Sequence, residues 1–175
     1  RNDKGKFTEV TREAGIHGSL ISFGLGVSVG DINGDGYPDV YISNDSYERD
    51  YLYINQRNGT FKDEFEQLIQ HTSMSSMGAD VADINNDNWP DIYLSNDYMA
   101  PDYLYVNNRN GTFTDRIGEM IGYTSEFSMG NDVADFNNDG WNDIYTLDMV
   151  PEDNHRQKLL SSIDNYEFFE LRNKV

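Results

Sequence analysis

The sequence predicts an all-β chain of repeated four-stranded antiparallel units, and three observations predict it. One acidic loop occurs three times at a fixed interval. Short apolar segments recur around it at the same interval. An Asn-Gly pair, the strongest short hairpin signal, separates two of those segments in each complete repeat.

The loops read Asp31-Ile-Asn33-Gly-Asp35-Gly36-Tyr37-Pro-Asp39, Asp83-Ile-Asn85-Asn-Asp87-Asn88-Trp89-Pro-Asp91 and Asp135-Phe-Asn137-Asn-Asp139-Gly140-Trp141-Asn-Asp143, each beginning 52 residues after the last. The repeat extends beyond them. Gly26-Val27-Ser-Val29-Gly matches Gly78-Ala-Asp80-Val81-Ala and Gly130-Asn-Asp132-Val133-Ala. Asp39-Val-Tyr41-Ile-Ser-Asn44-Asp45 matches Asp91-Ile-Tyr93-Leu-Ser-Asn96-Asp97, and Tyr51-Leu-Tyr53-Ile-Asn55 matches Tyr103-Leu-Tyr105-Val-Asn107. Asn58-Gly59-Thr-Phe61 matches Asn110-Gly111-Thr-Phe113. Each unit thus has four short apolar segments. The acidic loop joins the first to the second, a polar stretch the second to the third, and the Asn-Gly hairpin the third to the fourth. Four antiparallel strands per roughly 50 residues is a β-propeller blade.

The expected organisation is a partial β-propeller. Residues 1–18 are the last strand of a preceding blade and a connection, because Gly5-Lys-Phe7-Thr-Glu9 resembles Gly111-Thr-Phe113-Thr-Asp115. Residues 19–70 and 71–122 are full blades, 123–150 is the first half of a third, and 151–175 is an irregular, partly helical stretch. Propellers close with about 4–8 blades, so these residues read as a segment of a longer polypeptide.

The loop spacing carries the chemistry. Asp or Asn stands at positions 1, 3, 5 and 9, and a loop curling round an ion presents alternate side chains inward. Hard oxygen donors suit Ca²⁺, which takes about 6–8 of them. The carbonyl of Tyr37, Trp89 or Trp141 at position 7 can add a fifth donor. Position 6 needs a sharp turn, met by Gly36, Asn88 and Gly140. Mg²⁺ fits less well, since it demands tight octahedral geometry, and the chain has no Cys and no His in any loop to favour zinc. An EF-hand is excluded: its position 12 needs a bidentate Glu, and here stand Ile42, Leu94 and Thr146 between strand-like flanks. The plainer alternative is an Asp/Asn/Gly turn that binds nothing, but such a turn needs no carboxylate at every corner.

The formal charge is −18. Three bound Ca²⁺ would reduce it to about −12, which still argues against nucleic-acid or anionic-membrane partners. No segment reaches the ~18 apolar residues of a membrane span. Loops of this kind need plentiful Ca²⁺, as modules outside cells have at about 10⁻⁴–10⁻³ M, so the sequence favours an extracellular or cell-surface location.

Phe23-Gly24-Leu-Gly26 followed by the loop at 31–39 resembles the FG-GAP repeat, the propeller repeat of integrin α chains and of bacterial VCBS-type proteins. The wording is most similar to the bacterial ASPIC/UnbV-associated group related to cartilage acidic protein, and Met149-Val-Pro151-Glu-Asp153-Asn-His-Arg156-Gln-Lys158 adds to that likeness. The resemblance implies a seven-bladed propeller with Ca²⁺ between the first two strands of a blade. By that resemblance the ligands are Asp31, Asn33, Asp35, Tyr37 and Asp39; Asp83, Asn85, Asp87, Trp89 and Asp91; and Asp135, Asn137, Asp139, Trp141 and Asp143. Ser75 stands where the first unit has Phe23, and Ser76 and Ser128 where it has Gly24, so the Phe-Gly signature is literal only once.

Other residues carry weaker signals. Asn44-Asp45 and Asn96-Asp97 read as strand-end turns rather than a second metal site. Asp80 and Asp132 either line a central channel or brace a neighbouring loop. The tyrosines at 51, 53, 103 and 105 read as blade packing rather than a sugar platform. Sequons at Asn44, Asn58 and Asn110 fall at turns. His17, His71 and His155 share no register with a nucleophile or carboxylate, so no catalytic constellation emerges. The expected function is a non-enzymatic Ca²⁺-binding surface or secreted scaffold for a protein or glycan partner, with independent loops on separate blades. The alternatives are a Ca²⁺-dependent polysaccharide lyase or hydrolase using His155 or Arg156, or an accessory subunit of a bacterial outer-surface uptake or secretion complex.

Overall fold

The computed structural model describes residues 1–149 apart from 70, 72, 74, 98 and 99. The stretch 151–175, with His155 and Arg156, lies outside the described residues.

Two short strands open the chain, β1 (Asn2–Asp3) and β2 (Lys6–Phe7), paired antiparallel. The first four-stranded sheet follows in chain order: β3 (Phe23–Gly30), β4 (Asp39–Asp45), β5 (Tyr51–Asn55) and β6 (Phe61–Asp63). The second repeats it with β7 (Ser76–Ala82), β8 (Asp91–Asn96), β9 (Tyr103–Asn107) and β10 (Phe113–Asp115). A third sheet pairs β11 (Ser128–Ala134) with β12 (Asp143–Asp148). Every neighbouring pair is antiparallel, so this is the all-β, partial-propeller architecture that the repeat predicts. Helices α1 (Phe65–Leu68) and α2 (Ile117–Met120) follow the fourth strands. Each is four residues, about one turn, too short to leave a 3.6-residue period in the sequence.

The sheets stack through their first strands, β3 on β7 and β7 on β11. Glycine permits this approach. A Cβ on Gly26 would lie 3.1 Å from the Gly78 Cα, and one on Gly78 would lie 3.2 Å from the Gly130 Cα. The register slips by one residue just before each of these glycines, between Gly24 and Gly26, Ser76 and Gly78, and Ser128 and Gly130. A bulge in the same place in every unit bends the first strand toward its neighbour. Polar bonds then cross the gap. The Ser28 hydroxyl donates to the Ala79 carbonyl. Asn131 Nδ2 donates to Gly78 O (3.0 Å), and the Val133 N–H to Asp80 Oδ2 (2.8 Å). Asp80 therefore braces the first strand of the next unit rather than an acidic loop.

The apolar core lies between sheets rather than within one. Ile32, Tyr41, Leu52 and Phe65 of the first unit pack with Ile92, Leu94, Tyr105 and Phe113 of the second. A second cluster joins Ile84, Tyr93, Leu104 and Val106 to Val133 and Ile144 of the third sheet. Fully burying one such side chain is worth about 1.5–3 kcal/mol. Tyr105 belongs to the first of these clusters and Tyr103 packs against it, the two rings stacked at 5.5 Å between centroids, as are those of Tyr51 and Tyr53. On β3, by contrast, Leu25, Val27 and Val29 are exposed.

A buried carboxylate closes each polar connection. Asp50 lies wholly out of solvent and accepts bonds from Tyr41 OH (2.6 Å), the Asn44 N–H (2.8 Å) and, from the second sheet, Ser76 Oγ (2.8 Å). Asp102 repeats this with Tyr93 OH (2.8 Å) and the Asn96 N–H (2.9 Å). Asn44 and Asn96 are buried too, donating to Arg49 O and Pro101 O, so they are turn residues as expected and the Asn44 sequon is inaccessible in the fold. Burial pushes the Asp50 carboxyl up from 3.8 to about 6, against the pull of Tyr41, Asn44, Ser76 and the Arg49 charge.

Two predictions follow from this packing. Gly78→Ala should destabilise the chain by about 1–3 kcal/mol in urea unfolding, because the clash is with backbone. Gly130→Ala, with open space around its Cβ, should be neutral. The raised Asp50 carboxyl binds a proton more readily in the folded chain than in the unfolded one. Its contribution is therefore present below about pH 4 and lost as pH rises through about 6. In metal-free urea titrations, Asp50→Asn should remove a loss of about 3 kcal/mol over that window. Parallel pH curves for the two proteins would contradict it.

Candidate functional site

Each acidic loop joins the first strand of a sheet to the second, 31–39 between β3 and β4, 83–91 between β7 and β8, and 135–143 between β11 and β12. Their internal geometry is nearly superposable. The position 1 carboxylate accepts two backbone N–H groups: Asp31 from Asp35 and Gly36 (both 2.8 Å), Asp83 from Asp87 (2.9 Å) and Asn88 (2.7 Å), and Asp135 from Asp139 (3.0 Å) and Gly140 (2.9 Å). The position 5 carboxylate accepts the N–H of position 7, at 2.9 Å for Asp35–Tyr37, Asp87–Trp89 and Asp139–Trp141 alike. These bonds coil the backbone round the acidic side chains.

The coil needs two left-handed residues, not one. Position 6 has φ of 87°, 68° and 90° at Gly36, Asn88 and Gly140, as expected. Position 4 also has positive φ, 73° at Gly34, 57° at Asn86 and 62° at Asn138. Sequence reasoning missed position 4, although Gly and Asn, the types that tolerate this region, fill it every time.

Position 9 is the anchor. Asp39 and Asp91 are fully buried. Asp39 Oδ2 accepts the N–H groups of Ile32 (3.0 Å) and Asn33 (3.3 Å), and Oδ1 that of Asn55 (2.8 Å) on β5. Asp91 binds Ile84 (3.2 Å) and Asn107 (2.9 Å) in the same way, and Asp143 binds Phe136 (3.2 Å). Desolvation pushes the carboxyls of Asp39 and Asp91 above the usual range, against the pull of these N–H groups. Position 2 adds an apolar anchor that the acidic pattern concealed: Ile32 and Ile84 insert into the inter-sheet clusters, while Phe136 is exposed.

Position 3 separates the loops. Asn33 Oδ1 and Asn137 Oδ1 accept the N–H of Asp35 (2.9 Å) and Asp139 (2.8 Å). Asn85 Oδ1, an atom out of reach of solvent on a half-buried side chain, has no hydrogen-bond partner. An orphaned carbonyl oxygen among three carboxylates is a donor set that fits a hard cation. Among the described residues, no three His, Asp or Glu side chains gather into a formed metal cluster.

The loops touch one another although they lie on separate sheets. The Trp89 ring lies against Gly34, where a Cβ would meet it at 2.8 Å. Asn107 Nδ2 donates to Ile32 O (3.1 Å), Asn142 Nδ2 to Asp83 O (2.7 Å) and Asn86 Nδ2 to Gly140 O (3.1 Å). Stacking the first strands brings the loops at their ends into contact, a consequence a linear repeat does not display. Among the described residues, no helix is long and apolar enough to cross a membrane.

Comparison with known proteins agrees with this architecture. The family described as FG-GAP-like repeat matches residues 31–94 and 89–146. The chain is 33% identical to integrin alpha-6 of Gallus gallus over 56% of its own length and 10% of that protein's. It is 32% identical to integrin alpha-6 of Homo sapiens over 55% and 10%. To cartilage acidic protein 1 of Mus musculus it is 33% identical over 56% of this chain and 15% of that one. The matched region is thus a small part of each relative's length. Because the family match runs through all three acidic loops, from the first loop into β12, the chain belongs to the FG-GAP-like repeat family.

Proposed function

We propose that the three loops bind Ca²⁺ and that the chain is a Ca²⁺-fastened propeller module, non-enzymatic, acting outside the cell or at its surface as a scaffold for a protein or glycan partner. The observation that carries this reading is the repeated loop geometry, with Asn85 Oδ1 left as a buried, unpartnered acceptor in the second loop. Side chains at positions 1, 3, 5 and 9 would hold the ion with the position 7 carbonyl: Asp31, Asn33, Asp35, Tyr37 and Asp39, and their counterparts in the other loops. Ca²⁺ would supply the positive charge that clustered carboxylates lack. Three Asp per loop repel one another, and the N–H groups they accept offset only part of that. The kinship with integrin alpha chains and cartilage acidic protein supports the surface or secreted location.

Ion binding to the folded chain alone stabilises it, by about 2.7 kcal/mol per site at a hundredfold excess over Kd. The melting temperature should therefore rise with Ca²⁺ and fall back with chelator; an unchanged melting curve in a folded sample would sink the proposal. Titration calorimetry should count three ions in the native chain and two in Asp87→Ala. Because the loops touch, Asp87→Ala should also shift the half-saturation of the third loop, read from Trp141 fluorescence. An unmoved third loop would refute the coupling but leave the binding intact.

A further inference from the structure

Two arginines stand over the acidic loops in a way that turn formation does not require. Arg57 and Arg109 occupy the hairpins between the third and fourth strands of the two complete sheets. Both have left-handed backbones, φ 61° and 62°, where a long side chain is disfavoured and Gly would be free. Both reach the position 5 aspartate of their own unit. Arg57 places Nη2 at 3.0 Å and Nε at 3.2 Å from Asp35 Oδ2. Arg109 places Nη2 at 2.9 Å and Nε at 3.3 Å from Asp87 Oδ2. Arg57 also lies 5.4 Å over the Tyr37 ring. Both guanidiniums are about half exposed, whereas the carboxylates are mostly covered, at 16% and 17%. Ordinary surface pairs contribute little to stability. Two identical pairs, each built on a disfavoured backbone, point to a role at the loop.

We propose that Arg57 and Arg109 are built-in cations that set the charge of the first two loops, so that these loops favour divalent over trivalent ions. The proposal rests on the loops being cation sites. Each loop brings three carboxylates. One guanidinium cancels one negative charge and leaves two, the charge that a divalent ion neutralises. Each arginine grips a single oxygen, Oδ2, while Oδ1 faces the N–H of position 7, so the carboxylate is also held in one orientation. Orientation changes the affinity for all cations together. Charge changes a trivalent ion's affinity more than a divalent one's, because the repulsion scales with the ion's charge.

Tb³⁺ and Ca²⁺ separate the two effects. The chain has two Trp, Trp89 in the second loop and Trp141 in the third. In the full chain carrying Trp141→Phe, Tb³⁺ luminescence excited through Trp89 reads the second loop, and displacement by Ca²⁺ gives the ratio of the two affinities. Arg109→Gln should raise the Tb³⁺ to Ca²⁺ ratio about threefold or more. Arg109→Lys, which keeps the charge, should leave it near the native value. In the chain carrying Trp89→Phe, Trp141 reads the third loop, whose ratio should respond to Arg109→Gln less than that of the second loop. A ratio unchanged by Arg109→Gln, or moved as far by Lys as by Gln, overturns the proposal. Failure of the native chain to sensitise Tb³⁺ at all overturns instead the cation-site reading beneath it.

Discussion

A carboxylate removed from water must be satisfied where it lies, and this chain is organised around that requirement. Four aspartates, Asp39, Asp50, Asp91 and Asp102, are fully buried. Asp39 and Asp91 each tie the start of an acidic loop to the third strand of its sheet. Asp50 ties the turn after the second strand to a tyrosine hydroxyl and reaches the next sheet through Ser76. Losing one partner would leave a charge uncompensated, at a cost of roughly 1–3 kcal/mol or more. The bonds therefore specify register within a sheet and docking between sheets. Apolar packing supplies the bulk of the stabilisation, and the aspartates determine which arrangement receives it.

The same requirement links scaffold to site. The position 9 aspartate belongs to the proposed donor set and to the sheet at once. Ile32 and Ile84 at position 2 bury the loop's other end in the inter-sheet core. The first two acidic loops are thus fixed at both ends by the fold itself. Contacts between successive loops extend this along the row.

The repeat, the strand order, the position of the loops between first and second strands and the hairpins were legible in the sequence, because each rests on local spacing or turn chemistry. The position 6 turn was legible for the same reason. What escaped has a long-range cause. Asp50 and Asp102 sit immediately before Tyr51 and Tyr103 in stretches that look solvated, and only the approach of Ser76 and Ser128 from the next sheet accounts for them. Asn86 and Asn142 look like turn residues until the neighbouring loop is placed beside them. Arg57 and Arg109 recur at the same place before each Asn-Gly, a signal that was present, but its meaning depends on which loop the hairpin faces. The one-turn helices left no period to read.

Acidic loops that act as clamps would tighten their backbone coil on Ca²⁺. Amide hydrogen exchange resolved to single residues, with and without Ca²⁺, tests this most directly. The account predicts slowed exchange at the N–H groups already turned on the acidic side chains, those of Asp35, Gly36 and Tyr37 and their counterparts in the other two loops, with all three loops responding. Equal exchange at these amides in Ca²⁺ and in chelator, in a chain whose sheets stay protected, would contradict it.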